Sequence, residues 1–201
     1  MPLQERAYLE IQKMIDAQEL KLGVVYSETK LSQLLDISRT PLRSALNRLV
    51  QDGYIDILPS RGFVLHEMTD SEFLAYVDML CAIETHAALF LLHCGKQDKY
   101  LKTLEQLQLR MESAAAEELT ALNHEFHTTL IQLCGNLVMN RYYHSTLHLM
   151  QTQHAVKVFD AADLAKMPQE HAALLALIRS GDIGAVVAKL NAHVRFELIP
   201  T

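Results

Sequence analysis

The stretch "YSETKLSQLLDISRTPLRSALNRLVQDGYIDILPSRGFVL", residues 26–65, changes its hydrophobic period once, and that change sets the fold of the N-terminal third. Up to Gly53 the spacing is helical: Leu31, Leu34 and Leu35 share one face, and Leu42, Ala45, Leu46 and Leu49 form a second stripe. Ser27 and Ser38 stand where N-caps are needed, and Pro41 falls in a first turn, where a missing N–H costs nothing. Beyond Gly53, "YIDIL" alternates, "PSRG" is a turn and "FVLHE" can return as a partner strand. Upstream, Leu3, Ala7, Ile11, Met14 and Ile15 predict a first helix that closes near "ELKLG", where Gly23 can reverse the chain. Residues 1–68 therefore predict three helices and a β-hairpin, a helix-turn-helix with a wing.

Arg39 and Arg43 lie one turn apart, off the buried stripe of the third helix and beside its N-terminus. A helix N-terminus offers free N–H groups and a positive dipole end, Ser38 and Thr40 add hydroxyls, and arginines at this spacing can reach phosphates or base edges. The whole chain carries a net charge of -6, but residues 1–68 hold 8 Lys+Arg against 9 Asp+Glu, whereas residues 69–201 hold 10 against 15. The acidity belongs mostly to the second part, so it leaves the local field around Arg39, Arg43 and Arg48 free to attract DNA. A solvated surface helix is the bland alternative; the tri-helical context with a wing weighs against it.

From Thr69 the strand signals stop. Thr69 and Glu72 can form a capping box for a long helix that runs to Gly95, and further helices are predicted at about 97–113, 116–133, 137–159, 168–180 and 182–198. Gly135-Asn136, Pro168 at a helix start and Gly181-Asp182 supply the punctuation. Residues 69–201 thus read as an all-α bundle of about six helices, joined to the wing near residues 66–70 with no Pro/Ser-rich linker. Cys81, Cys94 and Cys134 are scattered and outside any CxxC pair, which predicts free buried thiols. No basic apolar leader opens the chain and no uncharged apolar run approaches the roughly 18 residues of a membrane span, so a soluble cytoplasmic protein is expected.

All but one of the ten histidines fall in this second part. His86, His93 and His154 stand alone and need no role beyond surface or core packing. Asn123 and His127 share a helix face, His171 and His193 lie on the last two helices, and side chains from facing helices can converge on one metal. By spacing alone, His144 and His148 make an equally good pair.

Residues 26–65 resemble the DNA-binding segment of the GntR family of bacterial transcription regulators almost throughout, from Glu28 to Gly62. The resemblance implies DNA contacts by Ser38, Arg39, Thr40 and Arg43, with Arg61 and Gly62 at the wing. Two departures stand out: Asp36 replaces the usual turn glycine, and Thr29 stands where some members place an arginine. The second part resembles the FCD ligand-binding domain of the FadR-type branch, whose metal-binding members show D-x-x-x-H, then E-H-x-x-x-L-x-A-I-x-x-G-D, then a final-helix histidine. Asn123, His127, His171 and His193 fall on those places, implying one divalent metal, zinc first and nickel or manganese next. Asn123 for aspartate keeps an oxygen but loses a charge. Glu84 is kept in "LCAIE" while Leu80 replaces a family arginine, and Glu84, His144 and His148 are read as lining an effector pocket. The resemblance further implies a homodimer on a pseudo-palindromic operator in double-stranded DNA, most often a repressor, released or engaged by a small organic acid.

An enzyme is not expected. "HEFH" places His124 and His127 three apart around Glu125, which is not the H-E-x-x-H display of a metal-dependent hydrolase, and the chain has neither a Walker loop nor GxGxxG.

Overall fold

The computed structural model of the chain describes residues 1–153 and 156–200. Among these residues it has nine helices and one two-stranded sheet, a mainly α fold in which the winged helix-turn-helix precedes an all-α bundle. The chain divides into two compact units. One is Met1–Asp70 together with the end of a later helix from His148; the other is Ser71–Leu147 together with the chain from residue 156 onward. The single histidine at position 154 lies outside the described residues.

In the first unit, α1 (Leu3–Asp16) buries Ala7, Tyr8, Ile11 and Ile15, and α3 (Arg39–Gln51) buries Leu42, Ala45, Leu46 and Leu49. The two stripes face each other, and Arg48 ties their edges: its guanidinium pairs with Glu5 at 2.7 Å and lies 3.9 Å above the Tyr8 ring. Helix α1 ends at Asp16, seven residues before the expected Gly23. Gln18, not a glycine, takes the left-handed conformation at φ +56°, and the Glu19 N–H reaches back to the Met14 carbonyl while the Gln18 N–H reaches Ile15. That pair of bonds is a Schellman closure, which stops the helix wherever it forms.

Helix α2 (Glu28–Leu34) starts at Ser27, whose hydroxyl accepts from the Lys30 N–H, and it buries Leu31. The turn to α3 contains Asp36 at φ +49°. This backbone conformation explains the glycine usual at that place, and aspartate is among the residues that tolerate it. The wing is β1 (Ile55–Leu58) against β2 (Gly62–Leu65), antiparallel with Ile55 opposite Leu65 and Leu58 opposite Gly62. Tyr26 is bridged to the inner strand: its N–H donates to the Phe63 carbonyl at 2.8 Å, and the Phe63 N–H donates back at 3.0 Å. Phe63 is fully buried, with its ring stacked on Tyr26.

The second unit is built on α4 (Asp70–His93), α5 (Gln97–Ser113), α6 (Ala116–Gln132), the first part of α7 (Leu137–Gln153), α8 (Ala161–Ser180) and α9 (Ile183–Leu198). By length and composition α4 could cross a membrane, but its stripe of Phe73, Val77, Leu80, Ala87 and Leu91 is buried in the protein, as expected of a core helix. Helix α5 packs on α6 and α8, and α8 packs on α6 and α9, so α6, α8 and α9 can present side chains to one interior point.

Two boundaries differ from expectation. Helix α7 is described as far as Gln153, and residues 156–160 are not helical although the sequence predicts helix to 159; α8 begins at Ala161 rather than at Pro168, which lies inside it. The cause is Asp160: in extended conformation it accepts from the Ala162 and Asp163 N–H groups, and Asp163 in turn accepts from the Asp160 N–H. This capping box starts the helix seven residues before the proline. Helix α8 closes on Gly181 at φ +78° and α9 opens on Asp182, whose carboxylate accepts from the Ala185 N–H.

Candidate functional site

The first candidate surface lies where α2, α3 and the wing meet in a groove of about 480 Å³. Arg39 and Arg43 enter it from α3 and Arg61 from the turn between β1 and β2, with Gly62 beside it. Arg39 and Arg43 are exposed on one side of α3 because the other side holds the buried stripe. They are also oriented: Arg39 Nη2 donates to Thr29 Oγ at 3.2 Å, and Arg43 Nε donates to Glu28 Oε2 at 2.9 Å. Thr29, which replaces an arginine, thus positions one. Ser38 is the N-cap residue of α3, but its hydroxyl makes no cap bond to the helix, so its O–H and that of the exposed Thr40 can donate to an anion. Gly62 has a structural task as well. With φ +120°, a Cβ there would lie 2.0 Å from the Tyr26 carbonyl oxygen, so only glycine allows the bridge to the wing.

The second candidate site is inside the bundle. His127 from α6, His171 from α8 and His193 from α9 turn their rings toward one another, and Glu197, one turn after His193, joins them. His127 Nε2 lies 3.4 Å from His171 Nε2 and 3.2 Å from His193 Nε2. Glu197 places Oε2 at 3.1 Å from His127 Nε2 and Oε1 at 3.2 Å from His193 Nε2. All four ligand atoms lie within 4.8 Å of one another; ligands about 2.1 Å from a tetrahedral zinc ion stand about 3.4 Å apart, so the cluster could hold a metal ion.

The outer contacts hold the rings in register. Glu84 on α4 accepts from His127 Nδ1 at 2.7 Å and from the Tyr143 hydroxyl at 3.1 Å. The Met167 carbonyl accepts from His171 Nδ1 at 2.8 Å. Each bond commits Nδ1 as the donor and leaves Nε2 facing inward, the arrangement that orients metal-binding histidines. His193 Nδ1 is buried without a hydrogen bond and lies 3.8 Å from Glu170 Oε2. Asn123, one turn before His127, is buried, and its Oδ1 has no hydrogen-bond partner.

Electrostatics divide the cluster. Burial works to lower the His127 pKa, but Glu84 and Glu197 on either side lift it well above the ordinary imidazole value. Burial, with His127 and His193 nearby, pushes His171 down to about 3, and burial also lowers His193. Burial alone would raise the Glu197 carboxyl; the facing imidazoles hold it well below the carboxylate range. The carboxylates thus single out His127 as the ring that holds a proton most firmly, while burial disfavours protonation of His171 and His193. The lowered pKa values of His171, His193 and Glu197 favour their unprotonated forms, which are the forms that can bind a divalent ion.

The other sequence-selected residues lie elsewhere. Glu84 reaches the centre only through His127. His144 is half-buried beside the His124 and Tyr143 rings, and it is Tyr143, its neighbour, that bonds Glu84. His148 belongs to the first unit, where Nδ1 meets the Tyr54 hydroxyl at 2.7 Å and Nε2 meets Asp16 at 3.1 Å. Leu80, in place of the family arginine, is buried core. Glu197 and Tyr143 escaped the sequence reading. Glu197 left a usable signal, since it follows His193 by four residues and so shares its face.

A winged helix-turn-helix bearing an arginine-lined groove, followed by a helical bundle with a buried histidine centre, defines the class: a two-domain protein of the helix-turn-helix type. Comparison with known proteins gives the family. Residues 3–65 match the model for bacterial regulatory proteins of the gntR family, and residues 76–196 match that of the FCD domain; the chain belongs to the GntR family and carries an FCD domain. It is 29% identical to the Nta operon transcriptional regulator of Aminobacter aminovorans over 57% of this chain, a match that spans little more than half, 55%, of that protein. An uncharacterized HTH-type transcriptional regulator in an unstable DNA locus of Streptomyces ambofaciens is 24% identical over 94% of this chain and 80% of its own. The solved structure of E. coli McbR/YncC is similar in fold, with a TM-score of 0.56 and 18% identity over 98% of this chain and 95% of that one.

Proposed function

We propose that this transcriptional regulator acts in the cytoplasm as a homodimer on a pseudo-palindromic operator, most simply as a repressor, and that a small organic acid bound with a divalent metal in the FCD domain sets its DNA affinity. Residues 1–68 would be the DNA-reading domain, with Ser38, Arg39, Thr40, Arg43, Arg61 and Gly62 at the duplex; residues 69–201 would hold sensor and dimer contacts. A single recognition helix reads too few base pairs for genomic specificity, whereas two related by symmetry read two half-sites. The observation that carries the sensing half of the reading is the convergence of three imidazole Nε2 atoms and a carboxylate at 3.1–3.4 Å in the bundle interior. Zinc suits a donor set rich in imidazole; nickel and manganese are the next choices. The metal would act as the electrostatic anchor for an anionic effector, while this chain's own residues hold the ligand rings and exclude water. An effector regulates only if its affinity differs between DNA-competent and DNA-incompetent arrangements.

The experiment is a titration of organic acids against the operator complex, in wild type and in His127→Ala. The expected result is an acid that changes DNA affinity in wild type and fails to do so in the variant. An acid acting equally on both would remove the metal centre from the sensing mechanism.

A further inference from the structure

We propose that Glu197 is the charged protein ligand of the metal in this chain, supplying from α9 the negative charge that Asn123 does not supply from α6. The inference rests on the metal reading above. Glu197 lies four residues after His193, on the same helix face, and its side chain is only 10% exposed. A carboxylate is not buried without charge or hydrogen-bond compensation. The groups that compensate it are the inward-facing Nε2 atoms of His127 and His193, one on each of its oxygens. Its oxygens thus lie among the converging imidazole nitrogens rather than behind a ring. Glu84 contrasts with it: that carboxylate meets His127 on its Nδ1 side, with its other oxygen on the Tyr143 hydroxyl, and orients the ring from behind.

Charge points the same way. Three neutral imidazoles and a divalent cation leave two positive charges in a buried space. Glu84 and Glu197 together cancel them, Glu170 beside His193 being paired with Lys189, and Asn123 Oδ1, buried and without a hydrogen-bond partner, is left as a neutral oxygen donor. An aspartate at position 123 would then be a third acid beside a centre already balanced. Asn123→Asp should therefore strengthen metal binding only when Glu197 has lost its charge.

The test is a zinc titration of the metal-free 201-residue chain against a chromophoric chelator, for wild type, Glu197→Gln, Asn123→Asp, the double variant and His171→Ala, with far-UV circular dichroism to verify folding. Cobalt absorption in the visible range supplies a second readout of the ligand set. Glu197→Gln is expected to weaken zinc by about tenfold or more, Asn123→Asp to change wild type by less than about threefold, and the double variant to recover most of the loss. Glu197→Gln binding as tightly as wild type while His171→Ala loses the metal would overturn the Glu197 assignment and leave the metal reading standing. A double variant that folds but recovers nothing would overturn the charge argument. Equal binding by wild type and His171→Ala would remove the metal reading, and the Glu197 assignment with it.

Discussion

Substituting Gly62 by alanine places a methyl group where the structure has no room. The new Cβ would lie 2.0 Å from the Tyr26 carbonyl oxygen and 3.0 Å from its carbonyl carbon, both backbone atoms that no rotamer change can move. Relief requires the Tyr26 segment and β2 to separate, which breaks the reciprocal bonds between Tyr26 and Phe63 at 2.8 and 3.0 Å. Two hydrogen bonds contribute about 1–3 kcal/mol net. The φ of +120° at a residue with a side chain costs about 1–2 kcal/mol more. The sum is about 2–5 kcal/mol, a large part of what typically holds a small domain together. Because the chain has two units, a global melting curve would mix two transitions; hydrogen exchange at the Phe63 and Tyr26 amides reads the bridge directly. Their protection should fall by at least about 30-fold, since 1.36 kcal/mol is a factor of ten. Gly23→Ala is the control: φ there is +73° and a Cβ would meet nothing within 4 Å, so only the conformational cost applies. If Phe63 protection in Gly62→Ala fell no more than in Gly23→Ala, the claim that glycine is required by the bridge would be wrong.

Two further outcomes are expected. Arg39→Ala and Arg43→Ala should each weaken operator binding by about 1–3 kcal/mol in gel-shift titrations, and an unchanged footprint from the folded double variant would exclude α3 as the reading helix. Burial raises the Cys81 and Cys134 thiols to about 11, so at pH 8 only about one in a thousand is thiolate, and labelling by a disulfide reagent should quicken roughly tenfold per pH unit toward 10. The sign for stability follows: a folded-state pKa above the unfolded value near 9 favours the native state fully below pH 9, and that contribution is lost as pH climbs through 11. Mass-spectrometric labelling rates independent of pH would contradict the assignment.

The winged helix-turn-helix was legible because its signals are local. Serine caps, the change from helical to alternating period at Gly53 and the wing turn all lie within one 40-residue stretch, and helix 97–113 is bounded as expected. The failures were local signals outcompeted by others. Pro168 favours a first turn, yet the Asp160–Asp163 box starts α8 earlier; Gly23 favours a helix end, yet Gln18 fills the left-handed position first. For the candidate centre, spacing could not rank His127 above His144, because which helix faces meet is decided by packing among α6, α8 and α9. His148 shows the same limit: equal to His127 in spacing, it is placed against Tyr54 and Asp16.

The Arg43–Glu28 pair has a consequence for how this protein responds to salt. Arg43 is 67% exposed but already holds a carboxylate as its own counterion. Of the three guanidinium groups in the groove, one is therefore already part of a near-neutral pair. Displacement of condensed cations scales as about 0.9 per phosphate neutralised, so if the groove meets DNA as proposed it would act as two charges rather than three. On the proposed reading, a protein built this way would give up some long-range attraction for DNA of any sequence, and its search for an operator would be correspondingly less hindered by other DNA.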